Sequence, residues 1–175
     1  ARLPDFIIYP TGGGTGLVGI WKAFSELRAL GILTTAKLPR MVAVQSENCA
    51  PVVSAFERGL DHVVPVVSSG TVAEGLDVPG AIMGHGMLEV LRESKGLAVA
   101  VAEADIVRAH VKMSAAGVSC GFEAAAGFAA ARTLCQTGVI KPGQTVLLLV
   151  TSSSLIALNS PAAKRVAAGH SAATG

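Results

Sequence analysis

The chain predicts an α/β fold, three layers deep, with helices on both faces of a mostly parallel sheet. Three observations predict it. Short apolar runs alternate along the chain with segments of helical period. The first apolar run feeds a glycine-rich turn that opens the first helix. And 175 residues suit one domain with a substantial core.

The first strand is expected at residues 6–9, ended by Pro10. Gly12, Gly13, Gly14 and Gly16 follow, and a helical pattern runs over 17–30. A second strand over 41–45 leads to a helix over 50–58. A third strand is expected at 62–67 and a helix at 86–93. Strand 97–101 then precedes helix 103–116, with Asp105 placed where its charge opposes the helix dipole. Helix 122–136 is punctuated by Gly138 and Pro142-Gly143, and a last strand covers 145–150. Residues 160–175 are rich in Ala, Ser and Gly without periodicity and are expected to form a mobile tail beyond a domain of residues 1–159.

Composition narrows the function. Charged residues make up 15% of the chain, against about 25% in a typical soluble domain. Either some apolar surface packs on another domain or subunit, or the domain is compact and rich in small apolar residues. A net charge of +2 with no basic stripe argues against nucleic acid. No apolar run reaches the roughly 18 residues of a membrane span, and the start, ARLPDFII, does not read as a signal peptide. Cys49, Cys120 and Cys135 form no CxxC pair, so they read as small buried hydrophobes in a reducing, cytoplasmic compartment. His62, His85, His110 and His170 lack ligand spacing, and no metal site is expected.

The glycine turn carries the chemistry. Where a strand ends and a helix begins, glycines let backbone N–H groups approach an anion, and the helix dipole adds partial positive charge. Two ligand readings fit. Gly14, Gly16 and Gly19 spell the dinucleotide pattern GxGxxG, with Glu47 as a ribose partner for NAD. Alternatively the run Gly12-Gly13-Gly14-Thr15-Gly16 wraps one terminal phosphate, with the Thr15 hydroxyl as a further donor. No Gly-Lys-Ser/Thr follows, which excludes a P-loop. A turn that holds no ligand is the plain alternative.

PTGGGTGLVGIWKAFSEL resembles the phosphate loop and following helix of threonine synthases, pyridoxal-phosphate enzymes of the tryptophan synthase β-like fold. LPRMVAVQSENCAPVVSAFERG, SSGTVAEGLDVP, CGFEAAAGFAAA and KPGQTVLLLVTSSS resemble later segments of that family, in the same order. The resemblance covers about residues 3 to 155 and is specific as an ordered set. It implies that Gly12, Gly13, Gly14, Thr15 and Gly16 hold the phosphate of pyridoxal 5'-phosphate. It also implies that the Thr151 hydroxyl meets the pyridine nitrogen, which suits elimination and replacement chemistry. Thr71, Glu74 and Glu123 would stand on the substrate side. For Glu74 and Glu123, a charge that merely complements a helix dipole remains the alternative. The chain departs from the family pattern at Ala124 and Ala126, and in Thr151-Ser152-Ser153-Ser154, where Ser152 and Ser154 replace the usual glycines of Thr-Gly-x-Gly.

The family's Schiff-base lysine lies in a motif well before the glycine loop. None of Lys22, Lys37, Lys95, Lys112, Lys141 or Lys164 has such a context. The resemblance therefore implies the C-terminal part of the cofactor-binding large domain. Its expected partners are a missing N-terminal small domain, a small amino-acid substrate and, in the full enzyme, further copies of itself. The implied parent reaction turns O-phosphohomoserine into threonine and phosphate. A serine or threonine dehydratase, an NAD-dependent oxidoreductase and a non-catalytic paralogue that binds a phosphorylated ligand stay open as alternatives.

Overall fold

A computed structural model describes residues 2–35, 37–153 and 155. Four parallel strands form one sheet in the order β3-β2-β1-β4. They are β1 (Phe6–Pro10), β2 (Arg40–Ser46), β3 (Leu97–Val101) and β4 (Val146–Leu148). The helices are α1 (Thr15–Ala29), α2 (Pro51–Glu57), α3 (Gly84–Glu93), α4 (Glu103–Ala115) and α5 (Phe122–Gln136), with a short 3-10 turn at Glu74–Leu76. Register is set by Ile7 opposite both Met41 and Leu147, and Val44 opposite Val99.

The period-2 alternation of the strands builds two cores. Phe6, Ile8, Val42, Val44 and Val101 face α4 and α5 on one side. Ile7, Met41 and Ala43 face α1, α2 and α3 on the other, with Leu17, Leu88 and Leu91. Both faces are covered, so the central strands read as continuous apolar runs. This is the three-layer α/β arrangement that the alternation predicts.

One expected strand is absent. Residues 62–67 form no strand; Pro65 supplies no amide, and β2 is already paired on both edges, by β1 and β3. Val63 packs into the second core, whereas Val67 is 97% exposed. The segment instead lies beside the start of α3, with Val63 against Gly84, and the Val66 amide donates to the Pro79 carbonyl. The expected strand at 145–150 shortens to β4, because only Phe6, Ile7 and Ile8 of β1 are opposite it; the Leu149 amide adds one more bond, to Ile8. The expected tail at 160–175 lies outside the described residues. Among the described residues no helix is long and apolar enough to cross a membrane.

Asp5 ties the opposite end of the sheet together. Its carboxylate accepts from Lys37 Nζ at 2.6 Å and from the Thr145 amide at 3.0 Å, and Arg2 lies at 3.3 Å. The Lys37 bond first, then the Thr145 amide, hold this carboxyl below its ordinary value. A depressed folded pKa stabilises the fold above the unfolded pKa, about 3.9, and that stabilisation is lost as pH falls through the folded value. Thermal unfolding followed from pH 6 to pH 2 is expected to show Asp5→Asn less stable than wild type at pH 6. Its decline on acidification should be shallower, and an unchanged slope would remove Asp5 from the acid response.

Candidate functional site

β1 and β4 lie side by side, while the chain leaves β1 for β2 on the other side. The strand order therefore reverses at β1, and ligands in open α/β sheets gather at the carboxyl ends there. A cleft of about 300 Å³ opens at this point, lined by residues 9–16, Gly75, Leu76, Glu123, Thr151 and Ser152. The glycine run and Thr151 therefore share one cavity, although they are far apart in sequence.

The loop is built for close approach. Gly14 has φ +94°, a conformation that side chains resist, and a Cβ there would stand 2.6 Å from Met87 Sδ. A Cβ on Gly12 would stand 2.7 Å from the Gly75 carbonyl oxygen and 2.6 Å from Val78 Cγ2. On Gly16 it would overlap the Tyr9 hydroxyl, and on Gly13 it would meet nothing within 4 Å. The loop is pinned from outside, since the Thr11 amide donates to the Val44 carbonyl and the Met83 amide to the Gly13 carbonyl.

The donors fit a phosphate monoester. Among the described residues no protein acceptor takes the amide hydrogens of Gly12, Gly13, Gly14, Thr15 or Gly16; the first amide of this stretch to bond back is that of Val18, to the Gly14 carbonyl. The first turn of α1 has no side-chain cap and no acidic residue. Its dipole and its orphan N–H groups face the cleft uncompensated. By contrast, Gln45 Oε1 takes the Val52 and Val53 amides of α2, and Glu47 Oε1 takes the Glu103 amide of α4.

Glu123 forms the opposite wall. Its Oε1 accepts from the Gly75 amide at 2.9 Å and its Oε2 from the Ser152 hydroxyl at 2.6 Å. Ser152, which stands where the family pattern has glycine, is thus bonded, and it has room because Gly121 beside it lacks a Cβ. Thr151 is exposed at the cleft. Thr71 and Glu74 are not lining residues of this cleft. They line a neighbouring cavity of about 430 Å³ on the far side of the same segment, where the Thr71 hydroxyl accepts the Ala73 amide. Gly75 and Leu76 reach the glycine cleft from that segment instead.

Two of the four residues that favoured NAD, Gly19 and Glu47, lie outside the cleft. Gly19 is exposed and a Cβ there would meet nothing within 4 Å, so no tight helix–strand packing demands a glycine. Glu47 caps α4 rather than facing the loop. Among the described residues no lysine or arginine lines the cleft. Lys22 pairs with Glu26 on the outer face of α1, and Lys37, Lys95, Lys112 and Lys141 are exposed. Lys164 lies outside the described residues. Arg92 bonds the Leu60 carbonyl, and Lys95 lies at the start of β3, at the other end of the strands. Cys49 and Cys120 are buried and Cys135 exposed, all as free thiols. Burial, and for Cys49 the nearby Asp77, push the two buried thiols up. Among the described residues no group of three or more His, Cys, Asp or Glu is placed to hold a metal.

Several known proteins are similar to this chain. The chain is 31% identical to the threonine synthase of Methanosarcina acetivorans over 155 residues, which is 88% of this chain and 38% of that protein. It is 29% identical to the cysteate synthase of Methanospirillum hungatei, covering 85% of this chain and 37% of that protein. It thus spans about two fifths of the length of these curated relatives. A fungal L-serine ammonia-lyase from Rhizomucor miehei shares the fold, with a TM-score of 0.71 at 20% identity over 87% of this chain and 46% of that one. The pattern of one family matches residues 1–152, and by that match the chain belongs to the pyridoxal-phosphate dependent enzymes.

Proposed function

We propose that this chain is the phosphate-holding part of a pyridoxal-phosphate-dependent lyase of threonine synthase type, acting on O-phosphohomoserine. The observation that carries the reading is the set of unpartnered amides at residues 12–16, gathered at the uncapped start of α1 and sharing a cleft with Thr151. The amides and the Thr15 hydroxyl would hold the phosphate, and Thr151 would offer a neutral hydroxyl to the ring nitrogen. Glu123 would hold a fixed negative charge on the substrate side. When bound, pyridoxal phosphate supplies the electron sink for elimination and replacement at the substrate's side chain. Among the described residues no lysine reaches the cleft, so the reading places the covalent lysine in a separate stretch of protein. Val67 and Ile82, 97% and 87% exposed on the segment that pins the glycine loop, would face that stretch.

The sharper reading, threonine synthase rather than dehydratase, rests on the SGTVAEGLDVP segment and on the 31% identity. Titration of the 175-residue chain with pyridoxal phosphate, followed by Trp21 fluorescence, tests the reading. Saturable binding that inorganic phosphate displaces and NAD does not match is expected. Borohydride treatment should leave all six lysines unmodified, as peptide mass mapping would show. Stronger binding of NAD would overturn the cofactor assignment, and a trapped lysine adduct the placement of the nucleophile.

A further inference from the structure

Two carboxylates suspend the segment that closes the cleft, and they do so in the same way. Glu103, the first residue of α4, accepts the Val72 amide on Oε2 at 2.8 Å and the Ser46 hydroxyl on Oε1 at 2.5 Å. Glu123, on the first turn of α5, accepts the Gly75 amide on Oε1 and the Ser152 hydroxyl on Oε2. Each serine belongs to the C-terminal end of a strand: Ser46 ends β2 and is fully buried, and Ser152 lies just beyond β4. Each glutamate therefore relays the position of a strand end to one amide of the segment. Hydrogen bonds to a charged acceptor are about twice as strong as neutral ones, and here both oxygens of both groups are used.

The segment is fixed from below as well. Ala73 and Leu76 are buried in the core under α5. The spacing between amide arms and apolar anchors leaves little freedom along 72–76. This matters for the cleft because the Gly75 carbonyl packs against Gly12, so closely that not even a methyl group fits between them. A shift of the segment by a few tenths of an ångström would change the width of the phosphate loop.

We propose that Glu103 and Ser46, which are not lining residues of the cleft, are positioning residues for it. Together with the Glu123–Ser152 arm they hold the 72–75 segment at the distance from Gly12 that a bound phosphate monoester requires. The Glu103 carboxylate in the neighbouring cavity is then the outer half of this suspension. The proposal rests on the phosphate reading of the glycine cleft.

Amide hydrogen exchange and pyridoxal phosphate titration of the full 175-residue chain test it together. Glu103→Ala should speed exchange at Val72 about tenfold or more, leave the β1 amides unchanged, and weaken pyridoxal phosphate binding severalfold. Glu103→Gln should restore slow exchange at Val72 and most of the affinity. Its amide oxygen can accept from Val72 while its amino group donates to Ser46. A residue that merely complemented the α4 dipole would lose its effect in Gln as in Ala. Ser152→Ala, which removes one half-buried hydroxyl, should speed exchange at Gly75 and weaken binding in the same direction. Equal behaviour of the Gln and Ala variants at position 103, or faster Val72 exchange with wild-type affinity, would overturn the proposal. Failure of the wild-type chain to bind pyridoxal phosphate or inorganic phosphate would sink the phosphate reading alone; unchanged exchange at Val72 and Gly75 in the variants would sink the suspension itself.

Discussion

Gly14→Ala is expected to cost about 2–4 kcal/mol of stability and to reduce pyridoxal phosphate affinity at least tenfold. Two separate penalties combine. Gly14 sits at φ +94°, and holding an alanine there costs about 1–3 kcal/mol of backbone strain. Its Cβ would also stand 2.6 Å from Met87 Sδ. Met87 is fully buried, so it can give way only by displacing its neighbours in the core between β1 and α3. Methionine is adaptable, which keeps this second penalty at the low end. Affinity falls because Gly14 precedes α1 directly; relieving the strain re-aims the amides of Gly14, Thr15 and Gly16 away from a common point. Urea unfolding and a fluorescence titration read the two effects separately. A variant as stable and as tight-binding as wild type would show that neither the backbone conformation nor the amide cluster matters.

The second large effect is expected at Gly12, with Gly13 as its internal contrast. Gly12→Ala should lose about 1–3 kcal/mol, because its new methyl group runs into the Gly75 carbonyl, a backbone atom. That carbonyl cannot retreat freely, since the amide of the same residue is held by Glu123. The segment and the loop must part, and binding should weaken with stability. Gly13→Ala should unfold like wild type, because a Cβ there meets nothing within 4 Å. Its methyl group would crowd only a ligand seated on the loop. Loss of pyridoxal phosphate affinity in Gly13→Ala without loss of stability would therefore locate the ligand. Equal stability of the Gly12 and Gly13 variants would contradict the packing of the segment on the loop.

Some of this was legible from residue order alone. Strand 97–101 and helix 122–136 form with the limits their patterns predict, because a short apolar run bounded by Gly96 and Ala102-Glu103, and a long apolar run rich in alanine that ends before Gly138, are local marks of a strand and of a helix. The glycine loop was equally readable: backbone approach and positive φ are local demands, and they leave a local mark. Residues 62–67 misled for the same reason in reverse. His62, Val63, Val64, Val66 and Val67 look like a strand, but β-propensity counts only where the backbone pairs, and here the Val66 amide goes to the Pro79 carbonyl of a loop, a partner that no local pattern records. The grouping of Glu123, Ser152 and Gly75 had no such mark either. The bonds join positions 48 and 29 residues apart, and nothing in the intervening sequence fixes that distance. Glu103 and Ser46 went unnoticed as site-shaping residues because an acid at a helix start and a serine at a strand end are ordinary features on their own.

By itself, the sequence determined the α/β class and the position of a glycine-rich turn between β1 and α1, because each follows from periodicity or from backbone freedom within a few neighbouring residues. Only the tertiary structure decided which distant groups share the cleft. It put Thr151, Ser152 and Glu123 opposite the glycines, and it sent Thr71, Glu74 and Glu47 elsewhere. The reason is physical: the parallel order β3-β2-β1-β4 brings every strand's C-terminal end to one side of the sheet, and which side chains meet there depends on neighbours in space rather than along the chain.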